Sequence, residues 1–148
     1  MIKNERQYQI TKVQTQKFRL ALTQLQAGAE EGARLHPRLR QAEQDALESQ
    51  WESLQAEIAE YEALLNGRQK SFSLGSFDDL PRALIKARIA SGLSQRDLAG
   101  RLGLKEQQIQ HYEATEYASA SLARVSAVIQ ALNVQVREEV SFAETFSA

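Results

Sequence analysis

Between Lys105 and Glu113 the chain reads Lys-Glu-Gln-Gln-Ile-Gln-His-Tyr-Glu, a run dense in side chains that donate or accept hydrogen bonds. At helical spacing Ile109 and Tyr112 turn inward, and Lys105, Glu106, Gln107, Gln108, Gln110 and His111 turn outward. A helix held from one side, with such a face on the other, suits reading of base edges in a DNA major groove. A glutamine carboxamide can bond an adenine edge through both of its groups, and a carboxylate can accept from a cytosine amino group. Other chemistries are poorly supplied. The two histidines, His36 and His111, lie far apart, and the chain has no cysteine, hence no disulfide framework, thiol chemistry or Cys-based zinc site. No Ser/His/Asp arrangement, metal-ligand spacing or glycine-rich phosphate loop occurs. The expectation is a binder rather than an enzyme, with no cofactor and no metal. Asp78-Asp79 reads as N-cap chemistry for the helix that follows, and Glu30-Glu31 and Glu138-Glu139 as solvated charges.

The elements that must hold this face can be read around it. Ser94 is a good N-cap with Asp97 three residues on, so a short helix starts there and buries Leu98, Ala99 and Leu102. Ala99 is small where a second helix must cross closely. Gly103 supplies the left-handed residue that ends this helix and turns the chain, with Leu104 filling the space beneath. An earlier helix runs from Leu80-Pro81 to Ile89, with Leu84, Ile85 and Ile89 inward and Gly92 as its stop. After the polar helix, Ala114 to Ala118 form a loop in which Tyr117 either packs or faces phosphate. Ser119 or Ser121 then caps a helix with Leu122, Val125, Val128, Ile129 and Leu132 inward, and Asn133 ends it in left-handed geometry.

In this arrangement residues 80–133 resemble the Cro/CI (Xre-like) helix-turn-helix family of repressors. The resemblance rests on Arg88-Ile89, Gly92-Leu93-Ser94-Gln95, Asp97-Leu98-Ala99, Leu102-Gly103-Leu104, Ile109, Tyr112-Glu113, Ser121-Leu122 and Ala131-Leu132-Asn133-Val134. The Gln-x-x-x-Ala step, the turn glycine and the Ile-x-x-x-Glu step all fall at family spacing. The resemblance implies an all-α fold with a five-helix-type DNA-binding domain. It implies base contacts from Glu106, Gln107 and His111, flanked by Lys105 and Gln108, and phosphate contacts from Ser94, Gln95 and Arg96. The implied partner is double-stranded DNA, a palindromic operator, met by a homodimer.

Composition agrees with a soluble helical protein: 25% charged, 43% hydrophobic, two prolines and seven glycines in 148 residues. No apolar run approaches the ~20 residues that span a bilayer, and the first residues lack a signal-peptide core, so the expected location is cytoplasmic, without a membrane. The charge argues mildly against DNA. The whole chain is −1, and residues 77–133 carry seven Lys/Arg against six Asp/Glu. Phosphate contact then falls to neutral donors and a few cations.

Residues 1–70 read as an N-terminal helical region, 71–79 as a Ser/Gly-containing linker and 134–148 as a tail. Thr11, with Gln14 three residues on, reads as a helix start, followed by an apolar stripe of Phe18, Ala21, Leu22 and Leu25. Gly28 and Gly32 loosen the chain, and His36-Pro37 restarts it. Leu47, Trp51, Leu54, Ile58, Tyr61 and Leu65 then step by 4, 3, 4, 3 and 4, a heptad seam closed by Asn66-Gly67. Such a seam needs cover. The first helix folding back as a hairpin, a second chain giving a dimer, or both together would supply it. A Trp/Tyr-bearing seam is also a docking surface for another protein, and the family resemblance extends to HigA-type antitoxins, in which one part binds a toxin. Val134, Val136 and Val140, alternating with polar residues, admit either a brief strand paired with a second chain or a frayed tail.

Overall fold

The computed structural model describes residues 1–28 and 36–142, and within them the chain is all-helical, with six α-helices and no strand. Gly32, the Glu30-Glu31 pair and the tail beyond residue 142 lie outside the described residues.

Helix α1 spans Glu5–Ala27. Its N-cap is Asn4, whose side chain accepts from the Gln7 amide, so the helix starts well before Thr11. Thr11 is instead buried within it. Its hydroxyl, like that of Thr15, donates to the carbonyl four residues back, which satisfies both inside the seam. The sequence signal misled because Ser and Thr bond the backbone equally well at a cap and in mid-helix. The buried face of α1 runs through Tyr8, Thr11, Thr15, Phe18 and Leu22, a heptad of its own.

Helix α2 spans Pro37–Leu65, capped by His36 with Pro37 in the first turn and closed at Asn66 and Gly67, the latter at φ +62°. It returns antiparallel along α1: Tyr8, near the start of α1, packs its ring tilted against that of Tyr61, near the end of α2, at 5.2 Å between centroids, and donates to Glu62 at 2.6 Å. Leu47, Trp51 and Leu54 are half-buried, and Ile58 and Tyr61 buried. The seam does not end as expected. Leu65 is exposed, and Leu64 is buried in its place, because the last turn of α2 packs against α3 as well as α1.

A single 3-10 turn, Phe77–Asp79, leads into α3 (Leu80–Ala90). Asp79 accepts from the Gly75 and Ser76 amides, which fastens this entry. Then follow α4 (Gln95–Leu102), α5 (Glu106–Ala114) and α6 (Leu122–Leu132). One hydrophobic cluster joins Ile2, Ile58, Tyr61 and Leu64 to Leu84, Ile85, Ile89, Leu98, Ile109, Val128 and Leu132. In α6 the inward stripe is Val125, Val128, Ile129 and Leu132, whereas Leu122, expected inward, is 73% exposed because it opens the helix beyond the reach of α3 and α4. Asn133 is left-handed at φ 54°. Residues 134–142 form no strand. Val134 and Val136 pack on the core, and the tail runs beside residues 69–77 along an open groove of about 1190 Å³.

Candidate nucleic-acid interface

Two short helices and one tight turn set the polar face. Ser94 caps α4 reciprocally: its hydroxyl accepts from the Asp97 amide at 3.0 Å, and its own amide and hydroxyl both donate to Asp97 Oδ2 at 2.8 Å. These donors, the amide foremost, hold the Asp97 carboxyl below its ordinary value. Gly103 ends α4 at φ +66°, and its amide and that of Leu104 return to the last turn of α4. Helix α5 follows after Lys105, which stands at its N-cap in extended geometry.

Helix α5 is held from one side. Ile109 and Glu113, four residues apart and so on one face, are both 0% exposed. Glu106, Gln107, Gln108, Gln110 and His111 are exposed, as is Lys105. Part of this polarity is already spent. The Gln108 side-chain Oε1 accepts from the Lys105 amide at 3.0 Å and completes the cap, and Gln110 donates to Glu106 at 3.3 Å. The side chains of Gln107 and His111, one turn apart, carry no such bond among the described residues.

Sequence reasoning missed what sets the rotation of α5. The buried Glu113 carboxylate takes a two-pronged pair from Arg88 of α3, Nε to Oε1 at 2.6 Å and Nη2 to Oε2 at 2.8 Å. Arg88 also donates to the carbonyls of Leu93 (2.8 Å) and Lys3 (2.6 Å), and Lys3 Nζ donates to the Glu113 carbonyl at 2.5 Å. Gln95, expected at a phosphate-facing surface, belongs to this network instead. It is 4% exposed, its Nε2 donates to Glu113 Oε2 at 2.8 Å, and its Oε1 accepts from Asn4 at 3.0 Å. The first position of α4 faces inward here because the Glu113 carboxylate, already paired by Arg88, still accepts from the Gln95 amide, and Asn4 of the N-terminal segment covers it. Of the other two residues expected at phosphate, Ser94 is exposed but committed to its cap, and Arg96 is exposed with no ion-pair partner among the described residues. The signal for the network was present: a Glu four residues after Ile109 lies on the buried face and needs a cation.

Tyr117 is packed. It stacks on Tyr112 at 6.0 Å, its hydroxyl is buried without a hydrogen-bond partner among the described residues, and burial pushes its ionisation far above the ordinary phenol value. It and Glu116 both adopt positive φ (59° and 49°), which tightens the turn that follows α5.

The family model for the helix-turn-helix matches residues 84–138, a little over a third of the chain. This segment is a helix-turn-helix domain of the Cro/CI, Xre-like type. It is a DNA-binding domain of the kind that transcriptional regulators carry, with α4 as the first helix of the pair and α5 as the second. Comparison with curated proteins and with solved structures gives no match. No helix among the described residues is long and apolar enough to cross a membrane. In the helix-turn-helix domain the Arg88–Glu113 pair ties the helix before the pair to its second member, so the polar face of α5 is presented at one fixed angle.

Proposed function

We propose that the protein is a dimeric, sequence-specific transcriptional repressor that reads the major groove with α5 and acts from the cytoplasm. The observation that carries this reading is the asymmetry of α5. Ile109 and Glu113 lock it from behind, and Gln107 and His111 stand exposed with side-chain hydrogen-bonding groups that no described residue engages. Glu106, Lys105 and Gln108 flank them, and in this reading the exposed Ser94 and Arg96 at the start of α4 meet phosphate. In this reading residues 1–70 serve assembly and 80–133 serve DNA. Dimerisation is supported by the outer side of α1, where Ile10, Val13 and Leu20 remain 49%, 51% and 63% exposed.

Selection from randomised duplexes followed by a retardation assay tests the reading. Gln107→Ala is expected to cost ~1–3 kcal/mol on the selected site and to relax preference at one base position. Retention of both affinity and preference removes Gln107 from the reading face. Light scattering on the same sample tests the dimer, and Val13→Glu, which puts a charge into the exposed apolar stripe of α1, should weaken both association and palindrome binding. The same exposed stripe on α1 supports a second reading, an antitoxin that binds a toxin protein through its N-terminal helices. A monomeric full-length protein that still binds single half-sites would favour it.

A further inference from the structure

We infer that the first turn of α1 extends the DNA-binding surface, with the Arg6 guanidinium as a phosphate contact beside the start of α4; this rests on the reading of α5 given above. The first observation is anchorage. Lys3 and Asn4 are fastened to the buried network: Arg88 donates to the Lys3 carbonyl, Lys3 Nζ to the Glu113 carbonyl, and Asn4 to Gln95. The same ion pair that sets the angle of α5 therefore also sets where α1 begins. The second is position. A cleft of about 420 Å³ has Asn4 and Arg6 on one wall and Ser94, Glu106 and Gln110 on the other. Arg6 is exposed and has no ion-pair or hydrogen-bond partner among the described residues, whereas Glu5 beside it is bonded within its own helix by Gln9.

The third is charge. Residues 1–28 carry Lys3, Arg6, Lys12, Lys17 and Arg19 against the single acid Glu5, while α2 carries two Arg against seven Asp/Glu. The near-neutral whole conceals a cationic helix laid against an anionic one. The cationic helix is the one whose start meets the reading face. DNA presents about one phosphate charge per 1.7 Å of axis, and residues 77–133, with an excess of one cation, supply little field of their own. Arg6 places a free guanidinium, suited to two-pronged phosphate contact, across the cleft from Ser94 and Glu106.

The test uses the full chain and a labelled mixed-sequence duplex of ~30 base pairs, titrated across a salt series. One phosphate contact contributes ~0.9 to the log–log salt slope, so Arg6→Ala should lower the slope by about that amount and weaken binding about fivefold to tenfold at ~0.1 M salt. The loss should be the same on every sequence, and Arg6→Lys should keep most of the binding. Far-UV circular dichroism and the melting temperature should not move, since Arg6 is exposed and unpartnered. Unchanged affinity and slope overturn the inference. Tighter binding by Arg6→Ala also overturns it, and makes the first turn of α1 an obstruction. Wild-type protein that binds neither this duplex nor any selected from a randomised pool, at any salt concentration, sinks the reading of α5 itself. Wild-type binding that Gln107→Ala alone perturbs, on its selected site, sinks only the role of Arg6.

Discussion

Glu113 is the residue on which the polar face depends, although it is not part of that face. Its carboxylate is sealed from water and takes three side-chain hydrogen bonds, two from Arg88 and one from Gln95. A buried ion pair adds little net stability against an apolar substitute, but removal of one partner strands the other charge. Glu113→Ala should therefore cost ~3–5 kcal/mol in urea denaturation, and Gln95→Ala ~1–2 kcal/mol, through one lost bond to a buried charge. A stability-neutral Gln95→Ala that weakened all DNA equally would return Gln95 to the phosphate contacts. Asp97 carries a pH dependence. Its carboxyl is held below its ordinary value of 3.8 by the Ser94 amide and then the Ser94 hydroxyl, so its contribution is present in full above that value and is lost as pH falls through the lowered one. The stability difference between wild type and Asp97→Asn should be flat from neutrality down to the ordinary carboxyl range and shrink below it. A difference that persists in strong acid would contradict the cap.

At the scale of elements the turn between α4 and α5 depends on backbone conformation rather than on space. An added methyl at Gly103 would meet nothing within 4 Å, yet φ is +66°, where a side chain strains the backbone. Gly103→Ala should lower stability by ~1 kcal/mol, with DNA preference unchanged at saturating protein. A larger loss would mean that the crossing of α4 and α5 itself had shifted. The hairpin follows different rules. Two heptads face one another, but α1 meets α2 through threonines at Thr11 and Thr15, so the seam is weaker at that end than an all-aliphatic one. Tyr8, through Tyr61 and Glu62, closes it.

For the whole molecule the shared core decides how the two regions behave. Ile2, Ile58, Tyr61 and Leu64 pack into the same cluster as Leu84, Ile85 and Ile89. Hairpin and helix-turn-helix should accordingly unfold in one transition. Trp51, the only tryptophan, reports on the hairpin, while far-UV circular dichroism reports on all helices. Coincident midpoints in urea are the expected result, and an earlier Trp51 transition would show the hairpin opening by itself.

Much of this fold was legible in sequence because it is written in local chemistry. Ser94 with Asp97, Gly92, Gly103, Asn133 and His36-Pro37 act on their own backbone, and the helix ends fall where they stand. The apolar inward residues of α3, α4 and α5 followed from spacing, while the polar ones, Arg88, Gln95 and Glu113, did not. The misreadings at Thr11, Leu65, Leu122 and Gln95 share one cause: each residue type suits two environments, and the choice between them belongs to whatever packs alongside. Thr11 bonds a carbonyl as readily as it caps, and Leu65 lost its place to Leu64 when α3 joined the contact. Gln95 turned inward toward a carboxylate brought from eighteen positions away, under an Asn4 brought from ninety-one. The sequence by itself determined the helices and the polar face of α5, since both rest on periodicity and caps within a few residues. Only the tertiary structure decided the Arg88–Glu113 lock, the burial of Gln95 and the seating of Arg6 beside Ser94, because burial and long-range pairing are properties of the assembled chain.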